Sequence, residues 1–280
     1  MPNSLTSGLY GSHRRILLIV FLVVMLVCSL FVYRFLIVDN DIVIDYAGLI
    51  HVKTEVNLVA VVNGVPPGVP VVIVIDKNIQ LTDELRISKN ANITLTSANK
   101  AVSLNMKNPI LNSGGVISVE TGGWLTIDGN IIVTNGQHGV FIDRDGTFIM
   151  INGTISGNAG KDGGGVYNFG IFVMSGGKIL DNLARNGGGV CNNGNFTMSG
   201  GEISGNFAHT VYGGGVFNYG NFTMSGGVIT ANRAEGGGGG VYNNHGSLYI
   251  SGGEISSNER FHGGILQWIE DNIDDVSDTR

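Results

Sequence analysis

The chain has 280 residues, of which 45 are glycine, where average usage gives about 20. It lacks a Gly-X-Y period and has only 5 prolines, which excludes collagen. Hydrophobic residues make up 43% and the net charge is −6, which excludes ordinary disorder. After residue 38 there are 13 bases against 22 acids, a net −9 with no basic patch, so nucleic acid is excluded as a partner.

The N-terminal 15 residues end in Arg14 and Arg15 and read as a cytoplasmic tail. Residues 16–38 follow as an apolar run broken only by Arg34. About 20 helical residues cross a bilayer core, and an arginine near the helix end can snorkel to the interface. Asp39, Asp41 and Asp45 lie beyond it. The positive-inside rule then puts the N-terminus in the cytoplasm and the rest outside, in a single pass. A cleaved signal peptide is the competing reading, but the run is long for one and lacks a small-x-small site. Cys28 sits in this run and Cys191 in a repeat, so neither a disulfide framework nor a metal-ligand spacing is implied.

Residues 39–68 read as a linker and N-terminal cap. A helix over Glu55–Val62, stopped by Asn63-Gly64 and Pro66-Pro67, is expected to cover the first turn. From 69 to 264 the chain repeats. Gly163-Gly-Gly-Val-Tyr-Asn168 recurs from Gly187, Gly213 and Gly238. Each copy precedes a second block, such as Met198-Ser-Gly-Gly-Glu-Ile203, and an Asn three residues later, at Asn182, Asn206, Asn232 and Asn258. Weaker copies begin at Met150 and Thr126. A valine column runs Val116, Val140, Val166, Val190, Val216, Val241 and ends at Ile265.

Apolar residues alternate within the unit, as in Phe196-Thr197-Met198, and period 2 means strand. Gly-Gly and Asn-Gly breaks every few residues exclude helices. The economical solution is an all-β fold, a single-stranded right-handed parallel β-helix. This solenoid of about 25-residue turns stands behind an N-terminal transmembrane helix. Like residues stack about 4.8 Å apart, with Val, Phe, Met and Ile inside and asparagine ladders at the bends. Residues 265–280 read as a C-terminal cap and acidic tail. Ile265, Ile269, Ile273 and Val276 at helical spacing predict a capping helix over 265–277.

The pattern GGGVYNNG-x-FTMSGG-x-IS-x-N resembles the repeats of right-handed parallel β-helix surface proteins of bacteria and archaea. These have the pectin-lyase-like fold and are often called adhesin-like. More remotely, it is similar to chlamydial polymorphic outer-membrane proteins. The resemblance covers about residues 65–265 and implies a surface protein. The same fold hosts polysaccharide lyases and hydrolases, but their signatures are missing here. The nearest feature is Gln137-His138-Gly139, and no catalytic residue is assigned.

Repeat length varies between the Asn mark and the glycine triplet, and solenoid insertions gather on one face. Lys161, Asp162, Arg185, His209, Tyr212, Arg233 and Glu235 are therefore candidate ligand-facing residues. The bland alternative is a solvated loop edge. Asp143 and Asp145 form the D-x-D of the repeat region, which reads as a turn or as two carboxylates for Ca²⁺; no other cofactor is implied. The N-x-[ST] triplets at Asn92, Asn152, Asn195 and Asn221 in part follow from the repeat itself. The expected function is a membrane-anchored extracellular rod, non-catalytic, serving in surface adhesion or envelope structure. Its partner would be a cell-surface glycan or protein. The alternatives are a polysaccharide-binding or polysaccharide-cleaving protein, and a fragment of a longer repeat protein.

Overall fold

A computed structural model describes residues 42–275, apart from 46, 99, 109–113 and 263–266. Alternating apolar residues and glycine breaks produce a parallel β-solenoid of about eight turns, a right-handed parallel β-helix. A representative rung has four strands: Asn195–Met198, Glu202–Ser204, Phe207–Ala208 and Val216–Asn218. They belong to sheets of ten, eight, five and eight strands, here the first, second, fourth and third in chain order round the coil. Every rung pairs in parallel with the next, and Phe172, Phe196 and Phe222 occupy one register.

This register builds the core. Phe148, Phe172, Phe196 and Phe222 stack with ring centroids 5.2, 4.7 and 4.6 Å apart and planes within 7°. Burial of each such side chain stabilises by roughly 1.5–3 kcal/mol. Columns of Met, Ile and Val lie beside them, all fully buried. Two asparagine ladders are buried with them. In one, Asn158, Asn182, Asn206, Asn232 and Asn258 are linked Nδ2 to Oδ1 at 2.9–3.0 Å; the Oδ1 of each of the last four also accepts the preceding asparagine's backbone N–H, and that of Asn158 accepts Gly136 N–H. In the other, Asn168, Asn192, Asn218 and Asn243 are linked at 2.7 Å. A buried amide is tolerated because the repeat supplies its partner.

Glycine in the triplet has a steric cause. Gly163, Gly187, Gly213 and Gly238 all have φ between 59° and 69°, a region glycine enters without penalty. At Gly215, two residues into its triplet, a Cβ would lie 2.6 Å from the Gly240 carbonyl of the next rung.

At the N-terminal end two short strands precede the expected helix. Ile42–Ile44 pairs antiparallel with Ile50–Val52, which continues the first sheet beside Pro70–Ile75. The expected helix is present as α1 (Glu55–Gly64). Thr54 caps it, accepting from Asn57 N at 3.3 Å. Leu58, Val61 and Val62 are buried in the core cluster. The apolar segment 16–38 lies outside the described residues. Among those described, no helix is long and apolar enough to cross a membrane.

The C-terminal end corrects the sequence reading: strands stand where a capping helix was expected. Gln267–Glu270 pairs antiparallel with Glu259–His262, and Ile273–Asp275 adds in parallel to Val241–Asn243. The final rung leaves edge N–H and C=O groups, and pairing them outweighs an i, i+4 apolar pattern. The return carries its own ladder mimic, for Asn258 donates to Asn272 Oδ1 at 3.2 Å. The valine column therefore ends at Ile273 rather than Ile265, and upstream it passes through Ile117 rather than Val116 to begin at Leu85. Likewise Met150 sits over Ile127, not Thr126. A one-residue slip would have turned Thr126 inward.

Outward positions of the first sheet come in pairs, one pair per rung. In order they are Asn92 and Thr94, Trp124 and Thr126, Thr147 and Ile149, Ile171 and Val173, Asn195 and Thr197, Asn221 and Thr223, and Ser247 and Tyr249. None is charged. Three of the four N-x-[ST] triplets lie here, because residues i and i+2 share a face.

Candidate functional site

In the third sheet the residue between the inward valine and the buried asparagine must point outward. That register runs Arg86, Ser118, Phe141, Tyr167, Cys191, Phe217, Tyr242 and Asp274. It places an aromatic column on the outer surface. At the upper end Tyr167 lies 5.8 Å from Phe141, edge to face, and 4.6 Å from Phe169. At the lower end Phe217 and Tyr242 stack at 5.6 Å, and Tyr212 lies over Tyr242 at 4.1 Å. The two-residue-longer loop before Gly213 brings Tyr212 there. Cys191, Phe217 and Tyr242 thus form a small second core under a strap, whereas Phe141, Tyr167 and Phe169 remain half-exposed.

The uncovered upper end opens into a cleft of about 510 Å³, within the usual range for ligand pockets. Its walls come from four successive rungs and include Glu84, Arg86, Glu120, His138, Phe141, Asp143 and Tyr167. Glu84 is nearly buried, with 7% of its side chain exposed. Its carboxylate accepts from Gly115 N at 2.9 Å and from Ser118 Oγ, and it pairs with Arg86 at 2.9 Å. This is a clamp between rungs. Arg86 also reaches Glu120 at 3.6 Å. Asp143 accepts from Thr121 Oγ1 at 3.0 Å and from Arg144 N at 2.8 Å.

His138 is 6% exposed. Its Nδ1 lies 2.9 Å from the Gly163 carbonyl, so that nitrogen carries the proton and donates. Burial pushes its pKa below the ordinary histidine value, against a smaller opposite pull from the Gly163 carbonyl and the Asp162 and Glu84 charges. Tyr167 is pushed up to about 12, first by burial and then by Cys191 and Asp162. The Cys191 thiol is pushed up, chiefly by burial. A neutral imidazole, two aromatic faces and the Glu120 and Asp143 carboxylates therefore share one wall system. Such a set can stack an apolar ring face and hydrogen-bond its polar rim.

The residues expected from sequence do not form one face. Asp143 lines the cleft, while Asp145 sits at φ 61° in the exposed turn after it. Asp162 accepts from Asn186 Nδ2 at 2.8 Å beside the aromatic column, and Tyr212 joins that column. Lys161, Arg185, Arg233 and Glu235 are exposed along the short fourth sheet, with His209 half-buried among them. Arg233 pairs with Glu259 at 3.1 Å. Among the described residues no group of three or more His, Cys, Asp or Glu side chains is placed to hold a metal ion.

Sequence reasoning missed Glu84, Arg86 and Glu120, together with Phe141, Tyr167, Phe217 and Tyr242. A signal existed for the aromatics: the position after the repeat valine reads Phe, Tyr, Cys, Phe, Tyr. No protein-family model matches the chain, and neither a curated protein nor a solved structure matches it.

Proposed function

We propose that this β-helix is an adhesin-like surface protein with the pectin-lyase-like fold, held in the membrane by residues 16–38. Its N-terminus is cytoplasmic and its repeats extracellular, and it makes surface contacts rather than catalysing a reaction. The observation that carries this reading is the division of labour within each rung. From Val166 onward the inward positions repeat almost unchanged, while the outward column Tyr167 to Asp274 varies in size and polarity. A rigid rod with a variable outer face suits recognition. Arg14 and Arg15 before the apolar run, and acids after it, support the topology. The test is protease treatment of intact cells expressing the full chain, with a binding assay on cells and glycan arrays. Degradation of the repeats outside and retention on a surface are expected. An intact, protected repeat region would overturn the topology.

The cleft favours a second reading, a polysaccharide-binding or polysaccharide-cleaving protein, because aromatic faces and carboxylates meet there. Release of reducing ends from a polysaccharide panel, with and without Ca²⁺, tests cleavage. Loss of that release in Asp143→Ala or Asp145→Ala would support it, and no release would sink the catalytic form.

A further inference from the structure

The outward face of the first sheet is distinct from the cleft and from the fourth-sheet edge. Over the seven rungs from Asn92 to Ile250 it presents no charged side chain, although the other faces carry lysines, arginines and acids. The regular rungs put Asn and Thr there, as at Asn195 and Thr197. Three successive rungs break that rule, as does the last of the seven, where Ser247 and the 64%-exposed Tyr249 take these places. Trp124 is 43% exposed and Ile171 41%, with Ile149 and Val173 half-buried between and beside them. The result is an apolar strip flanked at both ends by amide and hydroxyl rows.

We infer that this face binds the same face of a second copy of the chain. Three features select that occupant. First, a face without charge has nothing to repel its own copy, whereas the −9 net charge after residue 38 discourages pairing through any acidic face. Second, asparagine amides and threonine hydroxyls each donate and accept, so such rows are complementary to themselves. Third, the apolar strip occupies three rungs with polar rungs on both sides, so a two-fold arrangement centred at Ile149 sets strip on strip. Flat sheets pack face to face about 10 Å apart. At about 4.8 Å per rung and 3.3 Å per residue, the five four-residue rungs that overlap in this arrangement offer roughly 320 Å². That is well under half of the roughly 800 Å² one partner brings to a standard stable interface. The pair is therefore weak and reversible, and confinement of both copies to one surface would favour it.

The test uses the full chain carrying Cys28→Ser, which leaves only the buried Cys191 thiol. Ile149→Cys on the proposed face is compared with Thr154→Cys on the second sheet, using a short bis-maleimide. Several-fold more cross-linked dimer from Ile149→Cys is expected. Adding Ile171→Lys should bring it down to the Thr154→Cys level, with the β-sheet circular-dichroism signal retained. Equal cross-linking at the two positions, or no effect of Ile171→Lys, overturns the inference. So does retention on a neutral polysaccharide that Trp124→Lys abolishes while Ile149→Cys stays uncross-linked. The outcome is independent of the membrane topology and of what the cleft binds.

Discussion

One inward column of the third sheet is built in two different ways along the rod. Its first three members are Ile87, Val119 and Ile142, and the next four are Asn168, Asn192, Asn218 and Asn243. All seven are fully buried. The same position thus accepts a hydrocarbon or an amide, provided the neighbours match. At the junction Asn168 has Ile142 on one side, and its Oδ1 accepts the Gly170 N–H at 3.0 Å instead of a preceding amide. What the fold requires of this column is satisfaction between rungs, not a residue type. The apolar half depends on packing alone. The amide half adds directional bonds, which fix the register and penalise any single break.

The largest effect should come from breaking a ladder in the middle. Asn206 Oδ1 accepts both the backbone N–H and Nδ2 of Asn182, and its own Nδ2 donates to the Ile179 carbonyl and to Asn232 Oδ1. Asn206→Leu removes four buried hydrogen bonds made to three residues, although Asn182 Nδ2 keeps the Ile155 carbonyl and Asn232 Oδ1 keeps the backbone N–H of residue 206; each lost bond is worth about 1 kcal/mol. A loss of about 4 kcal/mol or more is expected in urea unfolding. The comparison sharpens in the other ladder. Asn192→Leu alone should cost about 2 kcal/mol by stranding Asn168 and Asn218. Replacing all four asparagines with isoleucine converts the lower half to the upper design. Its cost should be well below four times that of Asn192→Leu, since no ladder partner is left over. Strict additivity would refute the matching argument.

The same two halves explain what could be read from the sequence. Downstream of Gly163 each turn carries Gly-Gly-Gly-Val, Ser-Gly-Gly and Asn marks, and the strands follow them closely. Upstream those marks are missing, and the reading aligned Thr126 with Met150 although Ile127 faces in. Alternation of Ile, Val and Leu forbids such a one-residue slip, but the similar Ile127-Asp-Gly and Ile151-Asn-Gly stretches suggest it, because the upstream connection between strands is one residue longer. The cleft was illegible for a related reason. Glu84, Glu120, His138 and Asp143 meet only because three turns stack in one particular register. Variable loop length, the signal at Lys161, Arg185 and Arg233, locates an edge rather than a concavity. Tyr212 was found because it lies in the one longer loop. Its partner Tyr242 was not, because it belongs to the invariant-looking block. At the C-terminal end, local helical spacing lost to the unpaired edge of the last rung.

The upper half also holds the buried histidine, and this predicts a pH effect smaller than a broken ladder. The folded pKa of His138 lies below the ordinary value, chiefly through burial. The unfolded chain therefore takes up the proton first as pH falls below about 6.5. The stability present at neutral pH is lost progressively from there down through the folded value. His138→Phe should flatten the melting temperature between about pH 7 and pH 5. An unchanged acid slope would show that other groups dominate.

The smallest effect tests whether the repeat is optimal in its own terms. The residue before each ladder asparagine adopts the left-handed conformation. It is Gly157 and Gly205 at φ 65°, but Asp181 at 55°, Ala231 at 54° and Ser257 at 56°. A side chain with a Cβ pays about 1–2 kcal/mol there, least for aspartate, whose short polar group bonds locally. Ala231 is exposed, so a glycine leaves no cavity. Glycine adds entropy to the unfolded chain, which returns part of the gain. Ala231→Gly should therefore stabilise by about 0.5 kcal/mol and raise the melting temperature by a degree or two. Ala234 lies three residues on, fully buried in its strand. Ala234→Gly should lower the melting temperature, because a strand glycine loses both packing and chain stiffness. Opposite signs at two alanines so close in sequence would show that backbone conformation, not composition, decides where this solenoid tolerates a side chain.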